Sequence, residues 1–358
     1  MALNITINKV NVAASFAAGA TVANAVASGG TVPYVYSLAT GGDKFAINSS
    51  TGAVTTIAAM DISNIASFSV TVTDSTTGTA LTITSDVTYP PIPATIQSRF
   101  SRADLTYKIT KDIDLGGGTL TMPAGCTLDF QGGSFSNGTI IGNNTRIKAN
   151  SISIKKDIKL SGSFIGDIRT SWFEIDVTDC TDTLDNIFNI SKNCNIIIDN
   201  GTYNISSKNL PRTDNATQYS IFILKSNSRV ILNGTINLLP NDLTNYQIFR
   251  LYNIENVIIE GNGKIIGDVE THTGTTGEWG HGISISSSKN ITVKDISISK
   301  CWGDGITVAS YTQDNLSSDI TIDNIKSKYN RRLGVSIISG DGIKFINSTT
   351  EGNGTING

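Results

Sequence analysis

The chain has 358 residues, enough for two or three domains, and only 16% of them are charged while 34 are glycine. This composition favours strands, tight turns and polar ladders over charged amphipathic helices. A net charge of −3 and a pI near 5.4 argue against a nucleic-acid binder, which needs clustered Lys and Arg, and no apolar run reaches the roughly 20 residues of a bilayer span.

Residues 1–90 carry a strand pattern. Alternation is clear in Phe68-Ser69-Val70-Thr71-Val72-Thr73 and in Leu81-Thr82-Ile83-Thr84, between Gly- and Ser-rich turns. The Ala-rich stretch Ala13 to Ala27 lacks a basic leader and is interrupted by Thr21 and Asn24, so a Gly/Ala-rich strand and turn is expected there rather than a signal peptide. Tyr36-Ser37-Leu38-Ala39, Phe45-Ala46-Ile47-Asn48, Thr51-Gly52-Ala53-Val54-Thr55 and Val70-Thr71-Val72-Thr73-Asp74 together resemble cadherin-like and other immunoglobulin-like sandwich domains. The resemblance implies a β-sandwich, without the acidic calcium motifs that join cadherin repeats. Tyr89-Pro90-Pro91-Ile92-Pro93 then predicts an extended linker over 91–106, because proline fixes φ and disfavours a helix before it.

From Tyr107 short apolar runs alternate with Gly and Asn. Thr119-Leu120-Thr121-Met122 is echoed twenty residues on by Thr139-Ile140-Ile141-Gly142, which predicts short early coils over 107–171. Ser171-Trp172-Phe173 opens the next section, 172–358. The spacing of Leu184, Ile187 and Phe188 predicts a short helix with Asp182 as its N-cap, followed by strands at Asn195–Asp199 and Gly201–Ile205. This helix, strand and turn resemble the start of pectate-lyase-like proteins, in which the helix covers the open end of the coil stack and hides its unpaired strand edges.

A repeat then appears. His281-Gly282-Ile283-Ser284-Ile285 becomes Asp304-Gly305-Ile306-Thr307-Val308 after 23 residues, and Gly334-Val335-Ser336-Ile337 follows after a further 29. Self-similarity at this period with β-branched runs predicts a parallel β-helix. Asn256-Val257-Ile258-Ile259, Asn290-Ile291-Thr292-Val293, Asp319-Ile320-Thr321-Ile322 and Gly342-Ile343-Lys344-Phe345 occupy one strand position, and Asp295, Asn324 and Asn347 share a turn position suited to a polar ladder. The four cysteines are widely spaced with no CxxC, so no metal site is expected and buried free thiols are.

Coils stack about 4.8 Å apart, so register becomes proximity. His281 is expected beside Asp304, Trp279 beside Trp302, and Arg331 over Trp302, with Glu270, His272 and Glu278 on the adjoining loop. Ring faces with hydrogen-bonding neighbours suit sugars, which makes Trp279, Trp302, His281 and Arg331 the candidate glycan-binding residues. The competing reading is that the two tryptophans staple the loop to the coils and Asp304 caps a turn. Asp304 and Glu278 are the candidate catalytic pair, since a glycosidase needs two carboxyl groups roughly 5–9.5 Å apart. Family 28 polygalacturonases share a Gly-His-Gly motif, but here Gly280-His281-Gly282 precedes Gly303-Asp304-Gly305 instead of following the acidic motif, and their catalytic roles are not transferred. No cofactor is expected.

Trp302-Gly303-Asp304-Gly305-Ile306, Tyr329-Asn330-Arg331-Arg332-Leu333-Gly334-Val335-Ser336 and Asn353-Gly354-Thr355 resemble the β-helix of phage tail fibres and tailspikes, above all those of phages of gut Bacteroides-type hosts. The resemblance spans residues 107–358. It implies an all-β protein with a right-handed parallel β-helix, a homotrimer on the virion tail assembled in the host cytoplasm, an N-terminal domain docked to other tail or baseplate proteins, and a β-helix facing host-surface polysaccharide. The coil pattern runs to Asn357-Gly358, where the resembling proteins carry further coils, so the β-helix is expected to be incomplete at that end. A depolymerase acting on capsular polysaccharide is the alternative to a non-cutting adhesive fibre.

Overall fold

Short β-branched segments separated by Gly and Asn turns produce an all-β fold in which helices are minor. The computed structural model describes residues 2–9, 15–58, 60–61, 67–86, 94–207, 219–310 and 315–354. The prolines of the expected linker lie outside them, and Ala94–Gln97 beyond those prolines form one helical turn. No helix among the described residues is long and apolar enough to cross a membrane.

Two compact units divide the chain. The first comprises Met1–Ser101, Asp114–Thr121 and Ser136–Ile140. Its antiparallel strands form a four-stranded sheet (Asn4–Lys9, Thr21–Ser28, Ala53–Thr56, Phe45–Ile47) and a three-stranded sheet (Tyr34–Thr40, Ser67–Asp74, Ala80–Asp86). The alternation in the sequence sends Ile5, Val22, Phe45 and Val54 from one sheet and Tyr36, Phe68, Val70 and Val72 from the other into a single core. Phe45 and Phe68 pack with ring centroids 5.1 Å apart.

In the second unit every strand from Cys194 onward pairs in parallel with the strand three places along, so three sheets grow side by side. One of seven strands runs from Gly166–Arg169 to Lys344–Ile346, one of six from Thr202–Ile205 to Thr349–Glu351, and one of five from Ser220–Ile223 to Val335–Ile337. Each turn of chain therefore adds one rung to each sheet. Ile168, Ile196, Val230, Ile259, Val293 and Ile322 stack in one fully buried column. Phe222, Phe249, Ile283 and Ile306 stack in another.

The polar seams follow from backbone geometry. Asn227, Asn256 and Asn290 adopt positive φ, which Asn tolerates, and their amides link in series at 3.0 and 2.8 Å. Asp319 and Gly342 continue this position with positive φ. Asp295, Asn324 and Asn347 also share positive φ, and Asn324 Nδ2 donates to Asp295 Oδ1 at 2.8 Å; Asn347 donates instead to Asp323. The repeated glycines have a different cause. A Cβ on Gly282 would lie 2.6 Å from the Gly305 carbonyl oxygen, and one on Gly305 would lie 2.6 Å from that of Gly334. Close approach of successive rungs, and not a left-handed backbone, sets the repeat.

The predicted helix is present at Thr181–Asn189 and buries Leu184, Ile187 and Phe188, the last against Phe222 and Phe249 at 4.9 and 5.3 Å. Asp182 is not its N-cap. It lies within the first turn, Cys180 occupies the cap, and Asp179 Oδ1 accepts from the Thr181 N–H at 3.0 Å. Asn186 of this helix hydrogen-bonds the backbone of Ile158 and Leu160, accepting from the Leu160 N–H at 2.7 Å and donating to the Ile158 carbonyl at 2.9 Å. All four cysteines are buried and free, with burial pushing the Cys194 thiol up to about 12.

Candidate functional site

The five-stranded sheet positions the site. Its register aligns Arg250 with Ser284 and Thr307, and Tyr252 with Ser286 and Ala309. Beside this sheet lies a cleft of about 270 Å³ whose lining includes these Arg, Ser and Thr residues together with Trp279, His281, Asp304, Ser310, Arg332 and Ile338. The floor is polar although nearly dry: Arg250, Ser284, Ser286 and Asp304 are each at most 3% exposed. Arg250 Nη1 donates to Ser284 Oγ at 2.9 Å and to Ser286 Oγ at 3.3 Å, and its guanidinium lies 5.0 Å from the centre of the Tyr252 ring.

His281 stands beside Asp304, as the 23-residue offset predicts. The Asp304 N–H donates to His281 Nδ1 at 3.0 Å, and Asp304 Oδ2 is 3.8 Å from the same nitrogen. Burial, then the charges of Arg332 and Arg250, push the imidazole down to about 4, so the ring is neutral near pH 7. Because Nδ1 accepts, the ring proton resides on Nε2. Asp304 Oδ1 accepts from the Leu333 N–H at 3.0 Å and lies 3.6 Å from Arg332 Nε. Burial raises the Asp304 carboxyl above its ordinary value, opposed by the Leu333 amide and Arg332. Glu278 is half-exposed, with Oε1 3.6 Å from Arg332 Nη1, so one guanidinium spans the two candidate carboxylates.

The two tryptophans part company. Trp279 is 49% exposed and lines the cleft, whereas Trp302 is 7% exposed and does not. One face of Trp302 is stacked on His272 at 3.8 Å, and Arg331 lies over the ring at 4.0 Å, as register predicts. Arg331 Nη1 also donates to the Gly277 carbonyl, which ties down the 269–278 loop. The His272 side chain is fully buried, with Nδ1 2.8 Å from Asp268 Oδ2; the same carboxylate accepts from Asn241 Nδ2 at 2.7 Å and from the Tyr246 hydroxyl. These groups have the geometry of a staple for the loop that carries Glu278. Glu270, on that loop, pairs with Lys300 at the surface at 2.7 Å.

Sequence reasoning named Arg331 for the groove, and the structure puts its neighbour Arg332 into the cleft lining instead. It also missed Arg250, Ser284, Ser286 and Thr307. The available signal was the alternation Ser284-Ile285-Ser286 and Thr307-Val308-Ala309, in which a buried aliphatic residue separates two cleft-lining positions, with Arg250 in register with Ser284.

No family model matches the chain. Two curated proteins of Bacillus subtilis (strain 168) are similar to parts of it. The SPbeta prophage-derived uncharacterized protein YorA is 33% identical over 118 residues, which is 29% of this chain and 20% of YorA. The uncharacterized protein YclG is 34% identical over 132 residues, 34% of this chain and 22% of YclG. The chain thus spans about a fifth of the length of these relatives. A solved structure of a candidate glycosyl hydrolase from Parabacteroides merdae ATCC 43184 aligns with TM-score 0.32 and 13% identity, covering 51% of this chain and 97% of that one, a likeness too low to carry an argument.

Proposed function

We propose that the chain is a phage-tail fibre or tailspike protein whose second unit is a right-handed parallel β-helix that binds a host-surface polysaccharide without cutting it. The observation that carries the reading is the cleft, where a half-exposed Trp279 stands at the rim of a floor of hydroxyl, imidazole and guanidinium groups. An exposed ring offers a surface to the CH face of a sugar while polar groups meet its hydroxyls. The sheets that add one parallel rung per turn support the β-helix, and the prophage origin of one relative supports the phage context. In this reading the first unit is an immunoglobulin- or cadherin-like sandwich, supported by its two antiparallel sheets around one core, and serves to dock on the virion or to space the β-helix from it. The active assembly is a homotrimer. Light scattering giving three chains per particle is the expected result, and a monomer for the full chain contradicts it.

Calorimetric titration with a panel of bacterial surface polysaccharides tests the binding role. Saturable binding lost in Trp279→Ala supports it, and an absence of binding across the panel contradicts it. One observation favours a depolymerase as the second reading: Asp304, its carboxyl raised by burial, and the half-exposed Glu278 flank Arg332. New reducing ends, or new unsaturated products absorbing in the ultraviolet, on incubation with a bound polysaccharide would establish it; unchanged polymer rejects it.

A further inference from the structure

The directions of the hydrogen bonds in the cleft narrow the ligand. Ser284 and Ser286 accept from the Arg250 guanidinium, which donates only, so their hydroxyl protons are free to turn toward the cleft. His281, in the cleft lining, accepts at Nδ1 from the Asp304 amide, which leaves Nε2–H as its ring donor. Arg332 contributes further N–H donors at the wall, and its contacts to Glu278 and Asp304 at 3.6 Å are too long for hydrogen bonds, so those donors are not saturated by either carboxylate. The acceptors are two carboxylates that already face Arg332 at 3.6 Å: Asp304, whose Oδ1 also receives the Leu333 amide, and the half-exposed Glu278.

Resting on the glycan-binding reading above, we propose that the cleft receives the carboxylate of an acidic sugar residue, a uronic acid unit of the polysaccharide, with Ser284, Ser286, His281 and Arg332 as its donors. An acceptor-only anion matches several donors on one cleft lining, whereas a neutral hydroxyl in the same place leaves donors without partners. A cleft of about 270 Å³ falls just below the volume of a drug-sized site, so it takes one sugar ring of the chain, the neighbouring units passing over Trp279.

The test uses the full chain and oligosaccharides containing glucuronate, galacturonate or mannuronate, each beside its carboxyl-reduced neutral counterpart and a sulfated neutral oligosaccharide. The expected result is at least about tenfold tighter binding of one acid form than of its reduced form, the increment of a charge-assisted contact. Arg332→Gln and Ser284→Ala should each erase most of that preference while the melting curve stays within a few degrees. Arg332, at the wall, serves as the variant least tied to folding, and the acid-to-reduced comparison on the unaltered protein needs no variant at all. Equal affinity for acid and reduced forms overturns the inference and leaves glycan binding standing. Equal binding of the sulfated sugar overturns the carboxylate assignment in favour of a general anion site. Binding of neither acid nor reduced forms, with native surface polysaccharides still bound, also overturns it; loss of binding to all glycans removes the underlying reading as well.

Discussion

Replacing Trp302 by Ala separates a staple from a sugar platform. The ring is 7% exposed, lies 3.8 Å from His272 at an interplanar angle of 18°, and has Arg331 above it at 4.0 Å. Truncating a buried Trp costs about 3–5 kcal/mol, a figure that already includes most of the lost stacking and about 1–2 kcal/mol of cation–π attraction. For a unit of more than 200 residues each kcal/mol moves the melting temperature by about 2–4 °C, so a fall of about 6–20 °C is expected. Trp279→Ala should do the reverse: a shift of at most about 2 °C, because its ring is half in water already, and a glycan affinity weakened about fivefold or more. Differential scanning fluorimetry and calorimetric titration on both variants give the comparison. A Trp302→Ala protein that melts like the parent but has lost glycan binding refutes the staple.

Acid titration should reveal His281. Its folded-state value is about 4 against about 6.5 unfolded, so the unfolded chain binds a proton first; its contribution is complete above pH 6.5 and declines as pH falls toward 4, by roughly 3 kcal/mol in all. Asp304, raised by burial, acts in the opposite sense near the bottom of that window, and Arg332, Arg250 and Glu278 are the other charges facing the pair, so His281→Asn should flatten the pH 4–6.5 slope and leave the remainder; an unchanged slope contradicts the assignment. Gly305→Ala places a methyl 2.2 Å from Ser327 Oγ and 2.6 Å from the Gly334 carbonyl, and chemical denaturation should show about 1–3 kcal/mol lost. A variant as stable as the parent would mean that the rungs part easily there.

Much of the coil stack was legible because register is a counting problem. The 23- and 29-residue offsets predicted the His281–Asp304 contact and the place of Arg331 over Trp302, and the Asn and Asp turn positions emerged with the positive φ that makes those residues suitable. What failed was the direction of side chains at one position. Trp279 and Trp302 share a register position, yet the loop from 269 to 278 folds over one and leaves the other open, and an irregular loop has no period to count. Arg331 and Arg332 are adjacent in a bend, where no period fixes side-chain direction, and the first lies over Trp302 while the second lines the cleft. At the helix start the apolar spacing pointed to Asp182, but Cys180 takes the cap position and Asp179 accepts from the Thr181 N–H, a backbone detail that the spacing does not encode.

Hydrogen–deuterium exchange on the full chain with and without a bound surface polysaccharide tests glycan recognition at the cleft most directly. The expected result is protection concentrated in Trp279–Ser286, Ile306–Ala309 and the segment around Arg332, with the loop at 269–278 changed little. Protection elsewhere on the coils, with these strands unchanged, would place the glycan outside the cleft and contradict the assignment.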